Sequence, residues 1–245
     1  IYSVAHYLTG NSALALLAQL MYSVTPMIVL ENSYLTPRSF GYLNFSLVTL
    51  ALLNYYFIQN PIYLVLGLVF ATLIFLTHRF ATQSFLFITI FFTYSLNTAL
   101  FIQVFLVGFA FAVILTQGYY LRVLKGHLFN IYFWICNLDF RFAHQVRGVL
   151  KKDTKTDWVG QIYHLLSVFS PIAVFGLNPF ALSGFVILIA HWMGWLIVSP
   201  LFITYAAWIL FFYAFGVVVL KVKYLMPIGE GQRYMEMATV PACIL

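Results

Sequence analysis

Apolar residues run through this chain in long unbroken blocks, separated by brief polar punctuation. The blocks extend from about Ser12 to Leu30, Phe40 to Ile58, Pro61 to Thr77, Ala81 to Ser95 and Thr98 to Thr116. After a polar stretch they resume at Gly160 to Leu177, Pro179 to Val198 and Leu201 to Leu220, and a further helix begins in "RYMEMATVPACIL". A bilayer-crossing helix needs about 20 apolar residues, whereas strands of a membrane barrel would alternate in polarity over about ten. The pattern therefore predicts an all-α fold, a polytopic transmembrane helical bundle of about eight or nine spans. It forms a single domain over residues 1–245, with one long amphipathic loop at 117–158. Within that loop "HLFNIYFWICNL" is aromatic and apolar but too short to span, which predicts an interfacial helix.

The punctuation is as informative as the runs. "QNP" at 59–61, "THR" at 77–79, "LNP" at 177–179 and "SP" at 199–200 are tight connections. Proline in a first helical turn sacrifices no hydrogen bond, so these mark helix starts and antiparallel hairpins. No internal repeat or low-complexity tract interrupts them.

Composition strengthens the membrane reading. Hydrophobic residues make up 63% of the chain and charged residues 7%, against about 25% charged in a soluble domain. The expected location is an integral, multi-pass one, in a bacterial or archaeal plasma membrane or the endoplasmic reticulum. The net charge of +6 is not a nucleic-acid footprint, because seven of the twelve basic residues fall between Arg122 and Lys155. That clustering suits anionic lipid or a phosphorylated ligand. Cys136 and Cys243 are far apart and carry no metal or disulfide spacing. The chain opens at Ile1 and closes inside a helix just begun, which reads as an internal piece of a longer protein.

Counting spans assigns sides. Glu31, His78, Arg79 and the 117–158 loop share one side, here side X, and Lys221, Lys223 and Arg233 fall on the other. The positive-inside rule makes side X cytoplasmic.

Ionisable groups beside membrane helices call for a functional explanation. Glu31 and Arg38 lie together in "VLENSYLTPRSFG", between two apolar runs. Glu31 suits a metal ligand, a general base or an acceptor for a substrate hydroxyl, and equally an interfacial partner for Arg38. His78 and Arg79 close the third run on the same side, with Gln83 one turn on. The arginine fork matches phosphate oxygens, but a snorkelling arginine at a helix end has the same signature. "IGEGQRYMEMATVP" holds Glu230, Arg233, Tyr234 and Glu236. A cation at a helix start suggests an anionic ligand, since that end favours anions, or else a pairing of Arg233 with Glu230 or Glu236. Asp139, Asp153 and Asp157 read as surface charges, and His6, His144, His164 and His191 show no ligand pattern.

The residues "SALALLAQLMYSVTPMIVLENSYLTPRSFGYLNFSLVTLALLNYY" and "PIYLVLGLVFATLIFLTHR" resemble the core of the GT-C glycosyltransferases. Gly67 stands at the glycine of that family's "GLxxGLxxLTK" helix, "LTHR" replaces "LTK", and "QRYMEMATVPACIL" resembles its late "RY…P" element. The resemblance implies transfer of a sugar from a polyprenyl-phosphate donor to an extracytoplasmic acceptor of unspecified identity. It places Glu31 near a second acidic position, catalytic or a ligand for Mg or Mn. The chain has no "DD" or "DE" pair, so the main carboxylate is expected before Ile1. Arg38, His78, Arg79, Arg233 and Tyr234 become candidates for the lipid phosphate. The family puts side X outside the cytoplasm, against the charge count, and a long translocated loop reconciles the two. A polymerase using a lipid-linked oligosaccharide, a lipid or solute transporter or flippase, and a non-catalytic structural subunit of a membrane complex remain as other readings.

Overall fold

A computed structural model describes residues 1–26, 28–29, 37–138, 175–176 and 178–245. Glu31 and residues 139–174, which include most of the sixth predicted run, lie outside them. All regular structure among the described residues is helical. In chain order the helices are α1 (Tyr2–Thr9), α2 (Ser12–Val24), α3 (Pro37–Ile58), α4 (Pro61–Phe75), α5 (Arg79–Ser95) and α6 (Leu100–Leu115). There follow α7 (Tyr119–Cys136), α8 (Leu182–Trp192), α9 (Pro200–Lys221), α10 (Gly231–Met235) and α11 (Thr239–Ile244). Short 3-10 turns occupy Pro179–Ala181, Lys223–Ile228 and Glu236–Ala238.

The helix starts fall where side chains can satisfy free backbone N–H groups. Asn11 Oδ1 accepts from the Ala13 and Leu14 amides at 2.9 and 3.3 Å. Asn60 Oδ1 accepts from Ile62 N–H at 3.0 Å, with Pro61 opening α4. Pro200 opens α9 in the same way. The first predicted run breaks early: Thr25 is extended (φ −61°, ψ 119°) because Pro26 disfavours helical backbone in the residue before it.

The number of spans departs from the sequence reading. Two helices are long and apolar enough to cross a membrane, within Arg38–Ile58 and Pro200–Leu220. A third crossing is counted if α6 and α7, bent by 117°, are taken together. Eight or nine such helices are not found among the described residues. Turns at Leu76, Leu96, Thr116 and Met193 leave α4, α5, α6 and α8 with 15, 17, 16 and 11 residues. At about 1.5 Å per residue these are shorter than a hydrocarbon core of about 30 Å.

Aromatic contacts fix how the helices pack. Phe45 of α3 meets Trp208 and Phe212 of α9 edge-on, with centroids 5.9 and 5.6 Å apart. Phe87 lies 4.5 Å from Phe215, and Phe91 lies 4.5 Å from Phe211. The rising number on α5 meets the falling number on α9, so these helices are antiparallel. Phe75 of α4 packs on Phe105 and Phe109 of α6 and on Tyr120 of α7. α8 begins part-way along α9, where Phe185 meets Tyr213.

The antiparallel pairing carries the chain after α9 back to the start of α5. There α10 docks on α9 backbone to backbone: a Cβ on Gly216 would stand 2.7 Å from the Gly231 carbonyl oxygen. Arg233 therefore sits at the His78 end, not on the opposite side that the span count assigned. Span counting fails here because it requires each run to cross once. The seventh run is a 3-10 turn and an 11-residue helix, too short for a full crossing.

Gly231→Ala should lower stability by about 1–3 kcal/mol, the usual cost of overpacking. Gly126, in α7 and with open space at its Cβ position, is the control. Gly126→Ala should be neutral or stabilising by about 0.5–1 kcal/mol. Denaturation of both variants in detergent micelles checks the contrast.

Candidate functional site

The site forms where α3 and α5 begin. Gly41 of α3 lies close against α5: an added Cβ would stand 3.0 Å from Ala81 Cβ and 3.6 Å from His78 Cβ. Arg38 is thus held on the first turn of α3, beside His78 and Arg79 at the start of α5. Each helix start carries a partial positive charge of its own.

His78 caps α5. Its Nδ1 accepts from the Phe80 amide at 3.2 Å, and its ring stacks on Phe80. Because Nδ1 accepts, the neutral ring carries its proton on Nε2. Burial, and then the charges of Arg38, Arg79, His127 and Arg233, push the His78 pKa down to about 4. The ring is therefore neutral near pH 7 and is a hydrogen-bond donor through Nε2.

Arg79 is half-buried. Its Nη1 donates to Asn130 Oδ1 on α7, and its guanidinium lies 5.4 Å from the centroid of the Phe80 ring. Arg38 and Arg79 meet no carboxylate at ion-pair distance among the described residues. Arg233 differs: Nε is 3.3 Å from Glu230 Oε2 and Nη1 is 3.1 Å from Glu236 Oε1. The Glu236 side chain is only 8% exposed. It borders a cavity of about 20 Å³, also lined by Tyr22, Tyr42 and Ser46, which is room for one water.

Tyr234 lies under this cluster, not in it. Its ring is fully buried against Phe80, Phe87 and Phe215. Its hydroxyl lies 3.2 Å from Gln83 Oε1 and 3.0 Å from the Ile228 carbonyl, two acceptors for one hydrogen. It ties the C-terminal segment to α5 and offers little to a ligand.

The structure thus brings Arg38, His78, Arg79 and Arg233 to one end of the bundle and sets Tyr234 beneath them. Sequence reasoning missed Asn130 and treated His127 only as part of a headgroup-level surface. Their three-residue spacing puts both on one face of α7, but the sequence did not show which face turns inward. Among the described residues no three His, Cys, Asp or Glu side chains gather to hold a metal ion, and Glu31 is outside them. Of the polar residues in the apolar runs, Asn54 donates through Nδ2 to the Leu50 carbonyl at 2.9 Å while its buried Oδ1 meets no partner among the described residues, and Asn97 is exposed in a left-handed turn between α5 and α6.

No protein-family model matches the chain, and no curated protein or solved structure matches it either.

Arg38→Gln removes one of the charges that disfavour protonated His78. The His78 midpoint should rise from about 4 towards its ordinary 6.5 without reaching it, because burial is the larger cause. Histidine-ring NMR titration reads this directly. The neutral ring in the fold also means that stability falls as pH drops from about 6.5 through about 4, where the unfolded chain takes up the proton first.

Proposed function

We propose that this is a multi-pass membrane protein whose basic end binds the phosphate of a lipid. The observation that carries the reading is the position of Arg38 and Arg79. Two arginines that meet no carboxylate among the described residues stand at two adjacent helix starts, beside a neutral histidine that has an N–H to donate. Four positive features, two side chains and two helix ends, repel one another until an anion arrives. A phosphate accepts from both forks, whereas chloride or a carboxylate uses fewer of their hydrogens.

The short helices fit a membrane despite their length. Leu16, Leu20, Ile62, Val65, Ile90, Leu106 and Val186 expose their side chains on α2, α4, α5, α6 and α8, as lipid-facing residues do. A helix shorter than the core can be accommodated by local thinning of the bilayer.

We further propose that the bound lipid is a polyprenyl-phosphate sugar and that the protein transfers the sugar to an extracytoplasmic acceptor. The GT-C-like residues around Glu31, Gly67 and His78 support this step. In it the bond between the sugar's anomeric carbon and the phosphate oxygen breaks, and its electron pair leaves on the phosphate. Arg38, Arg79 and the His78 Nε2–H stabilise that charge. The acceptor oxygen bonds to the anomeric carbon, and its proton passes to a carboxylate, for which Glu31 is the candidate. Arg233, paired with Glu230 and Glu236, is outside this step and holds α10 against the site.

Native mass spectrometry of the protein with polyprenyl phosphate tests binding. Arg79→Gln should weaken it by about 10- to 100-fold, since a hydrogen bond to a charged group is worth about 1.5–3 kcal/mol. Unchanged affinity in an Arg38→Gln/Arg79→Gln variant would rule out this site. Release of polyprenyl phosphate from a radiolabelled sugar donor tests transfer. Glu31→Gln should abolish release and leave the lipid bound; full release by that variant would remove Glu31 from the mechanism.

A further inference from the structure

We infer that α7 is a membrane-surface helix that rests in the interface of an anionic lipid leaflet and holds the basic cluster at the depth of the lipid phosphates. The inference rests on the membrane reading above, but not on sugar transfer.

The turn into α7 is built into the backbone. Gln117 (φ 51°) and Gly118 (φ 83°) are consecutive left-handed residues, and they swing α7 by 117° from the axis of α6. If α6 runs along the membrane normal, α7 lies close to the membrane plane.

The inner face of α7 is tied to the bundle. Tyr120 is buried against Phe75 and Phe109, and Asn130 accepts from Arg79. The outer face has no protein neighbour among the described residues. Leu121, Leu128 and Ile135 recur at seven-residue intervals, which is nearly two helical turns, and are 49, 59 and 54% exposed. Tyr132 adjoins this stripe, exposed Phe129 and Phe133 widen it, and exposed Arg122 and Lys125 lie among these side chains.

Two observations identify the occupant as lipid. The first is proximity in the chain: Phe111, Ile114 and Leu115 at the end of α6 are exposed, and exposed Tyr119 and Leu121 follow within one turn after the corner at Gln117. The second is charge: residues 119–136 contain two exposed cations and no Asp or Glu. An exposed apolar and aromatic face that carries cations suits an anionic interface, where each cation contributes about 1 kcal/mol. A soluble partner would leave the aliphatic surface at the end of α6 uncovered.

The consequence concerns access. Arg79 is bonded to Asn130, so the depth of α7 sets the depth of Arg79. A phosphate-headed lipid then reaches the cluster sideways along the leaflet, without leaving the bilayer.

The test uses the full chain in lipid nanodiscs. Cys136→Ser removes the exposed cysteine, and buried Cys243 is retained. Single cysteines replacing Leu121, Leu128, Ile135 or, as a control away from α7, exposed Ser95 at the end of α5 carry an environment-sensitive fluorophore. At the three apolar positions, quenching by nitroxide-labelled lipid should exceed quenching by iodide several-fold, with the reverse at Ser95. Anionic lipid should deepen the three labels relative to neutral lipid, and Arg122→Gln/Lys125→Gln should cancel that difference. Labels open to iodide at all positions overturn the inference, as do labels shielded from both quenchers, which would mean protein covers the face. Depth unaffected by lipid charge overturns the anionic assignment. Polyprenyl-phosphate binding measured on the same samples separates the two proposals: immersed labels without binding leave α7 at the interface and remove the phosphate site.

Discussion

The antiparallel docking of α5 on α9 is the contact on which the arrangement at the basic end depends. Two phenylalanine pairs, Phe87 with Phe215 and Phe91 with Phe211, set its direction. Aromatic pairs contribute about 0.5–1.5 kcal/mol beyond their burial. Their larger effect here is directional: the end of α9 must emerge where α5 begins. From that point the close approach of Gly216 and Gly231, and the burial of Tyr234 under Phe80, leave Arg233 beside His78. Residues separated by more than 150 positions meet because two helices pack with opposite sense.

The basic end is held against its own repulsion. Arg38, Arg79 and Arg233 act together on His78, and His78 responds by staying neutral. Neutrality preserves the cap on α5, because only an unprotonated Nδ1 can accept the Phe80 amide. Arg233 is balanced by Glu230 and Glu236, and Arg79 by the neutral amide of Asn130 and the face of Phe80. Arg38 and Arg79 thus meet no carboxylate among the described residues, while Arg233 is largely spent on holding α10 in place.

Much of this was legible in local sequence. The starts of α3, α4, α5 and α9 sit within three residues of the predicted points, because Asn60, Pro61, His78 and Pro200 act through their own short-range chemistry. A helix in "HLFNIYFWICNL" was also legible, and α7 extends it back to Tyr119. The number of full-length spans was not legible, since a turn such as Met193–Gly194 costs few polar residues and hides inside an apolar run. The side of Arg233 was not legible either, because it depends on whether every intervening run crosses. Glu31, central to the sequence reading, lies outside the described residues.

The location of the charge gives the last constraint. Ionised groups at mid-bilayer are costly, and a transport route accepts that cost where its cargo must pass. Here the apolar middle of the bundle is filled by Phe45, Phe85, Phe92, Trp208 and Phe212, all fully buried, and the cationic side chains cluster beyond its end. Such a packing fills the centre of the described helices and gathers Arg38, Arg79 and Arg233 at one end, the level that the proposed function assigns to lipid phosphates. A protein built this way is suited to hold one end of a lipid while its chain stays among the neighbouring acyl chains. That is the demand made by chemistry at a lipid headgroup, and it does not require the bundle to open.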